Sequence, residues 1–140
     1  MSIIDGSNLV VGRAASVIAK RLIKGERIDI INAEKMIFTG TKENLLEKYK
    51  TRRELGEKGN PHKGPKYSRM PDRIVKRAVR GMVPWKKAKG KTAFKNFRAH
   101  IGIPDEFEKV KTEKIETAIN KKQKGFLTVE QLSKNLGAKW

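Results

Sequence analysis

Arg73, Lys76, Arg77 and Arg80 stand three and four residues apart, so on a helix they share one face, and no acid lies among them. Guanidinium and ammonium groups arrayed this way bind anions, phosphate oxygens above all, because each carries several donors and a fixed positive charge. Arg73–Arg77 and Lys76–Arg80 are i,i+4 neighbours, and Arg73–Lys76 and Arg77–Arg80 are i,i+3 neighbours. Each like-charge pair destabilises an isolated helix by about 0.2–0.5 kcal/mol, so together they cost on the order of 1–2 kcal/mol. A helix serving stability alone would carry Glu at some of these positions. The face is better explained by an external polyanion. The array continues on both sides. Arg52 and Arg53 end an upstream helix, Lys58, Lys63 and Lys66 lie in a Gly/Pro-rich stretch, and Arg69 precedes Met70-Pro71. Lys86, Lys87, Lys89 and Lys91 form a second basic stretch, and Lys95 and Arg98 follow it.

Other chemistries find no support. Cysteine is absent, which removes disulfides, thiolate nucleophiles and cysteine–zinc sites together. His62 and His100 both sit in Gly/Pro-flanked stretches with no second His or acid at metal spacing, and read as surface-loop histidines. Gly90-Lys91-Thr92 copies the end of a phosphate-binding loop, but Trp85 stands where the leading glycine is required. Gly56-Glu57-Lys58-Gly59 fits the short loop of a KH module without the flanking elements. Glu113 and Glu116, beside lysines, read as surface charge. No catalytic residue, metal, cofactor or small-molecule substrate is therefore expected.

The chain has 140 residues, with 33 Lys or Arg against 15 Asp or Glu, a net charge of +18. Such an excess repels itself unless an anionic partner offsets it. It is also localised. Residues 1–40 and 101–140 each carry a net +2, whereas residues 41–100 carry 19 basic and 5 acidic side chains. Between Lys58 and Arg98 there are 14 basic residues and one acid, Asp72. High-temperature proteins also accumulate charge, but they mix both signs into ion-pair networks, and this segment does not. Aromatics make up only 6%, so phosphate contact and shape reading are favoured over base-by-base reading. No apolar run approaches the roughly 18 residues that span a bilayer, and the N-terminus lacks the basic cluster of a secretory signal. No membrane association is expected.

The elements that must hold these cations can be read from periodicity. Ser2 to Asp5 predicts a strand closed at Gly6. Val11, Ala14, Ala15, Ile18, Ala19 and Leu22 predict an amphipathic helix stopped at Gly25, and Arg27 to Ala33 a buried strand. Strand, helix, buried strand is the βαβ signature of a parallel sheet. Ile37 to Gly40 predicts a short extended piece, and a helix follows from Thr41 to Arg53 with Leu45, Leu46 and Tyr49 on one side. Gly56 to Pro65 is expected as a flexible basic loop. Pro71 opens the cationic helix, whose apolar stripe is Ile74, Val75, Ala78, Val79 and Met82. Trp85 to Lys91 is expected as a second basic loop. Thr92 to Arg98 is expected as helical turns with Ala93, Phe94 and Phe97 inward, and Phe107 to Ala118 as a strand. Thr128-Val129-Glu130-Gln131 is a capping box opening a short helix that Gly137 ends. With no repeat and no linker, residues 1–140 read as one domain, the basic segment at about 58–98 being inserted in an α/β core.

Several separated motifs together resemble a known family. They are Asn8-Leu9-Val10-Val11-Gly12-Arg13-Ala14-Ala15 with Ile18-Ala19, then Ile31-Asn32-Ala33-Glu34, and then Thr39-Gly40-Thr41-Lys42. Arg69-Met70-Pro71, Ala78-Val79-Arg80-Gly81-Met82-Val83-Pro84 and Gly102-Ile103-Pro104 follow in order. Over about residues 2–105 the chain is similar to the universal large-subunit ribosomal protein thirteen family in its archaeal and eukaryotic form. The resemblance implies a three-layer α/β/α fold around a small, mostly parallel central sheet with basic loop extensions. It also implies a non-enzymatic, cytoplasmic protein of the large ribosomal subunit that binds ribosomal RNA, touches neighbouring ribosomal proteins and supports early subunit assembly. Carried over to matching positions, its RNA contacts are Arg69, Arg73, Arg77, Arg80, Lys86, Lys87, Lys89 and Lys91. Arg52, Arg53, Lys58, Lys63, Lys66, Lys76, Lys95 and Arg98 join them by charge and position. The rival readings are another RNA- or DNA-binding regulator using the 71–82 helix, and a nucleotide-binding α/β enzyme using the helix N-terminus at Gly12.

Overall fold

Strand β1 (Ser2–Asp5) leads into helix α1 (Val11–Ile23), whose apolar stripe is buried at all six positions in the computed structural model, which describes residues 1–140. Strand β2 (Ile28–Ile31) returns parallel to β1. A 3-10 turn (Ala33–Lys35), strand β3 (Ile37–Thr39), helix α2 (Lys42–Glu54), helix α3 (Pro71–Met82) and helix α4 (Ala88–Lys95) follow before the chain comes back as strand β4 (Phe97–Ala99). After 3-10 turns at Asp105–Phe107 and Glu116–Ala118 come strand β5 (Phe126–Thr128) and helix α5 (Val129–Asn135). The class is α/β, with a parallel sheet in the order β1-β2-β4 and an antiparallel pair β3-β5. No helix is long and apolar enough to cross a membrane.

Strand alternation assigns the two faces of the sheet. Ile4, Ile28, Ile30, Phe97 and Ala99 share a core with the buried stripes of α1 and α3. Ile3 and Ile31 point the other way and pack against Phe107. The central strand β2 is buried along its whole length, and that includes the carboxylate of Asp29. Asp29 Oδ1 lies 3.1 Å from His100 Nε2, and Oδ2 lies 3.7 Å from Arg27 Nε. His100, expected on a surface loop, instead helps to satisfy a buried acid.

Four further expectations change. The stretch expected to be helical over Thr92 to Arg98 divides, with the helix running Ala88–Lys95 and Phe97–Ala99 joining β2 as a parallel strand. A three-residue strand is too short to show a period of two, so the aromatic spacing misled. Phe107 to Ala118 is no strand. It crosses β1 with a single parallel bridge, Asp5 N donating to Glu113 O and Glu113 N to Ile3 O. Strand β5, not foreseen, pairs with β3 and places Thr128 to cap α5 through the expected capping box. On α3, Ala78 is half-buried and Met82 is exposed, so the stripe narrows to Ile74, Val75 and Val79 behind Pro71.

One polar cluster joins β1, α1 and the turn after α1 to the strap across β1. Arg21 on α1 donates to Glu26 (2.7 and 2.8 Å), to both Glu113 oxygens (2.9 Å each) and to Ser2 Oγ. Hydrogen bonds from Arg21, then from Ser2, hold the Glu26 carboxyl down to about 2 from its ordinary 4.5. Glu113, expected as plain surface charge, is a structural acid. Because the folded value of Glu26 is depressed, its contribution is complete above about pH 4.5 and is lost as pH falls through about 2. Arg21→Ala is expected to lower stability by about 1–2 kcal/mol at neutral pH. In urea titrations, the gap from wild type should shrink steadily between pH 4.5 and 2. A gap independent of pH over that range would contradict this role for the cluster.

Candidate nucleic-acid interface

Helix α3 is positioned by its apolar side. Pro71 starts it with a preset φ, Asp72 complements the positive end, and Ile74, Val75 and Val79 bury chiefly against α1. The opposite side then has to face outward, and Arg73, Arg77 and Arg80 are exposed there with Lys76 half-buried. None of the six ion pairs in the structure involves any of these four side chains. The repulsion expected from the sequence is thus present, and no carboxylate of the protein pairs with these cations.

Aromatic rings hold the guanidiniums in place. Arg77 lies 3.8 Å above the Tyr67 ring and donates to Lys66 O at 2.9 Å, which ties the incoming arm to α3. Arg80 lies 4.3 Å above Trp85, and Arg52 lies 5.6 Å from the Tyr49 ring. Trp85 stands edge-on to Phe94 at 5.3 Å. Burial pushes the Tyr49 phenol up, with Arg52 opposing it. Each such stack is worth roughly 0.5–1 kcal/mol at an exposed site and, more usefully, fixes the plane of the cation.

Two clefts result. One, of about 540 Å³, is bounded by α2, α3, residues 66–68 and Phe94, and carries Arg52, Lys66, Arg73, Lys76, Arg77 and Arg80 with no acid. Its neighbour, of about 510 Å³, runs past the end of α3 and adds Lys86 and Lys87 beside Trp85. These are the predicted cations that the fold brings together. Lys58 and Lys63 extend from the exposed arm over residues 56–65, where Gly64 packs so closely on Glu57 and Gly56 that the arm closes at its base. Lys89, Lys91 and Lys95 are exposed on α4; the first two, expected in a loop, are helical. Arg69 is exposed, and its carbonyl accepts from the Ser133 hydroxyl. Arg53 donates to Leu136 O at 2.7 Å, closing the end of α5, so it has a structural role. Arg98 leaves the sheet opposite Asp29, on the face turned away from α3, outside both clefts.

The cations are legible in the sequence, and the support that the rings give them is not. Tyr49, Tyr67 and Trp85 were visible in the basic region, and each turns out to carry one guanidinium. No group of His, Cys, Asp or Glu is arranged to hold a metal ion. Gly90, which mimicked part of a phosphate-binding loop, is needed for packing, since a Cβ there would lie 2.0 Å from Pro84 O.

The family described as Ribosomal protein L13 matches residues 1–106. The chain is 46% identical to the large ribosomal subunit protein uL13 of Methanosphaera stadtmanae, over all of this chain and 99% of that protein. It is 42% identical to that of Archaeoglobus fulgidus, over 97% of this chain and 87% of that protein. It is 40% identical to that of Methanocaldococcus jannaschii over the whole of both. The likeness therefore extends through the C-terminal third, where the sequence motifs had thinned out.

The close approach at Gly90 reverses an ordinary expectation. Gly→Ala inside a helix usually stabilises by about 0.5–1 kcal/mol. Here Gly90→Ala should destabilise by about 1–3 kcal/mol, because the new methyl group overlaps the Pro84 carbonyl and must displace the turn carrying Trp85 and Lys86. Urea unfolding followed by tryptophan fluorescence measures it. An unchanged or raised midpoint would show that the turn yields freely.

Proposed function

The chain belongs to the ribosomal protein L13 family, and on that premise we propose that it seats in the large ribosomal subunit by gripping ribosomal RNA with the cationic side of α3 and its flanking arm and turn. It is a structural ribosomal protein and not an enzyme. The observation that carries the RNA reading is the four-cation face of α3, which stands over a buried α/β core without a single ion pair. A folded protein that leaves such a face unneutralised gains stability only when an external polyanion arrives. In this reading Arg52, Lys66, Arg73, Lys76, Arg77, Arg80, Lys86 and Lys87 line the grip. Lys58 and Lys63 reach beyond it on the arm, and Arg69, Lys89, Lys91 and Lys95 flank it. Arg53 and Arg98 contribute from the margins. The whole of residues 1–140 acts as one unit in the cytoplasmic large subunit, beside other ribosomal proteins. Bringing the arm and α3 onto separate RNA segments would stabilise an early assembly intermediate.

Binding of the full chain to deproteinised large-subunit RNA should fall steeply with salt, the log–log slope scaling at about 0.7–0.9 per phosphate neutralised. Arg73→Gln and Lys76→Gln should each reduce that slope by about one and weaken binding to all RNA segments alike. A slope near zero, or preference for duplex DNA over the RNA in competition, would overturn the reading.

A further inference from the structure

The larger cleft holds more than phosphate chemistry requires. Helix α2 buries no residue fully and packs on β5 and α5, leaving the space toward α3 open as the 540 Å³ cleft. Cations alone would suffice for a backbone phosphate, yet this cleft is also lined by Tyr49, Tyr67 and Phe94, and by the apolar side chains of Ile74 and Ala78. None of the three rings is fully buried. A volume of this size lies within the range of about 300–1,000 Å³ typical of sites that enclose one small organic ligand. Cationic planes beside aromatic faces, with no carboxylate to repel a phosphate, match the two halves of a nucleotide. Its base offers a π-face that stacks on Tyr, Phe or Arg whatever its identity, and its phosphate takes forked hydrogen bonds from Arg.

We propose that this cleft receives one unstacked nucleotide of the bound RNA, its base against the Tyr67 ring and its aromatic neighbours and its phosphate on the guanidiniums of α3. The proposal rests on the RNA-binding reading and adds to it a single base-stacking pocket within a surface otherwise addressed to backbone. A nucleotide seated there would bridge α2 to α3, both of which line the cleft. The competing occupant is a phosphate of intact duplex RNA, for which the rings would serve only to orient Arg77 and Arg52.

Two measurements on the full chain with deproteinised large-subunit RNA separate the cases. Irradiation of the complex at short ultraviolet wavelength should cross-link a peptide carrying Tyr67, Tyr49 or Phe94 to a nucleotide that is unpaired in the free RNA. In binding titrations across salt, Tyr67→Ala should lose roughly tenfold in affinity with the log–log slope unchanged, because a stacked base releases no counterion. Tyr67→Phe, which keeps the ring, should bind as wild type. If the cleft aromatics give no cross-link, or if Tyr67→Ala lowers the slope by about one along with the affinity, the ring merely orients a phosphate-binding guanidinium and the proposal is wrong. If wild type itself binds without salt dependence, the RNA-binding reading fails first, a result distinct from either.

Discussion

The cationic surface outside the α1–β-sheet core depends on the burial of one side of α3. The four cations on its outer side oppose the helix by on the order of 1–2 kcal/mol in isolation. Ile74, Val75 and Val79 are each at most 5% exposed. Burying side chains of this size contributes roughly 1.5–3 kcal/mol apiece, so the apolar side outweighs the repulsion severalfold. That margin lets the outer face be chosen for a partner instead of for the helix. A surface helix without such an anchor would have to dilute its charge with Glu and would lose the array.

The anchoring is reinforced by topology. Strands β2 and β4 are parallel neighbours, so the chain leaves the sheet after Ile31 and re-enters it at Phe97 one strand away. The basic arm, α3, the Trp85 turn and α4 all belong to this one excursion, fixed at both ends by strand pairing. Beneath it, β2 carries a carboxylate where apolar side chains are the rule. Asp29 is 1% exposed, and of its two oxygens only Oδ1 has a close partner, His100, which directly follows β4. Leaving a buried polar group without its hydrogen-bond partner costs about 1–3 kcal/mol. The pair therefore ties the return point of the excursion to the strand it started from.

The sequence made the α1 stripe, the buried strand after it, the cationic face of α3 and the capping box at Thr128 legible, because each shows a period or motif within one element. It did not show that Phe97-Arg98-Ala99 is a strand, since three residues carry no period and the pairing with Ile28 to Ile30 is decided some seventy positions away in the chain. Nor did it show that Glu113 and His100 answer Arg21 and Asp29, which are non-local electrostatic choices. In the interface the same division holds. The identities of the cations follow from composition along the chain, while convergence does not. Arg52 reaches the cleft from a helix that ends sixteen residues before α3 begins, and Arg98, near in charge pattern, faces the opposite side of the sheet.

In the proposed RNA-binding reading, the stacked arginines and the unstacked lysines divide the work of binding. A free Arg or Lys side chain loses up to about 2 kcal/mol of rotamer entropy when it is immobilised, and that loss comes out of the affinity. Arg52, Arg77 and Arg80 have already given up much of that freedom against Tyr49, Tyr67 and Trp85 before any RNA arrives. Their planes are set, so what they gain from a phosphate is retained as binding and as orientation. The lysines of the arm and of α4 have no such supports, being exposed and without an ion pair. Their charge acts mainly at a distance, drawing the polyanion in over about a Debye length before contact. A surface made only of lysines would attract RNA without deciding how it sits. One made only of stacked arginines would fix the pose and collect it slowly. The chain combines the two, and the aromatic residues, few as they are, stand at the positions where attraction is converted into a defined geometry.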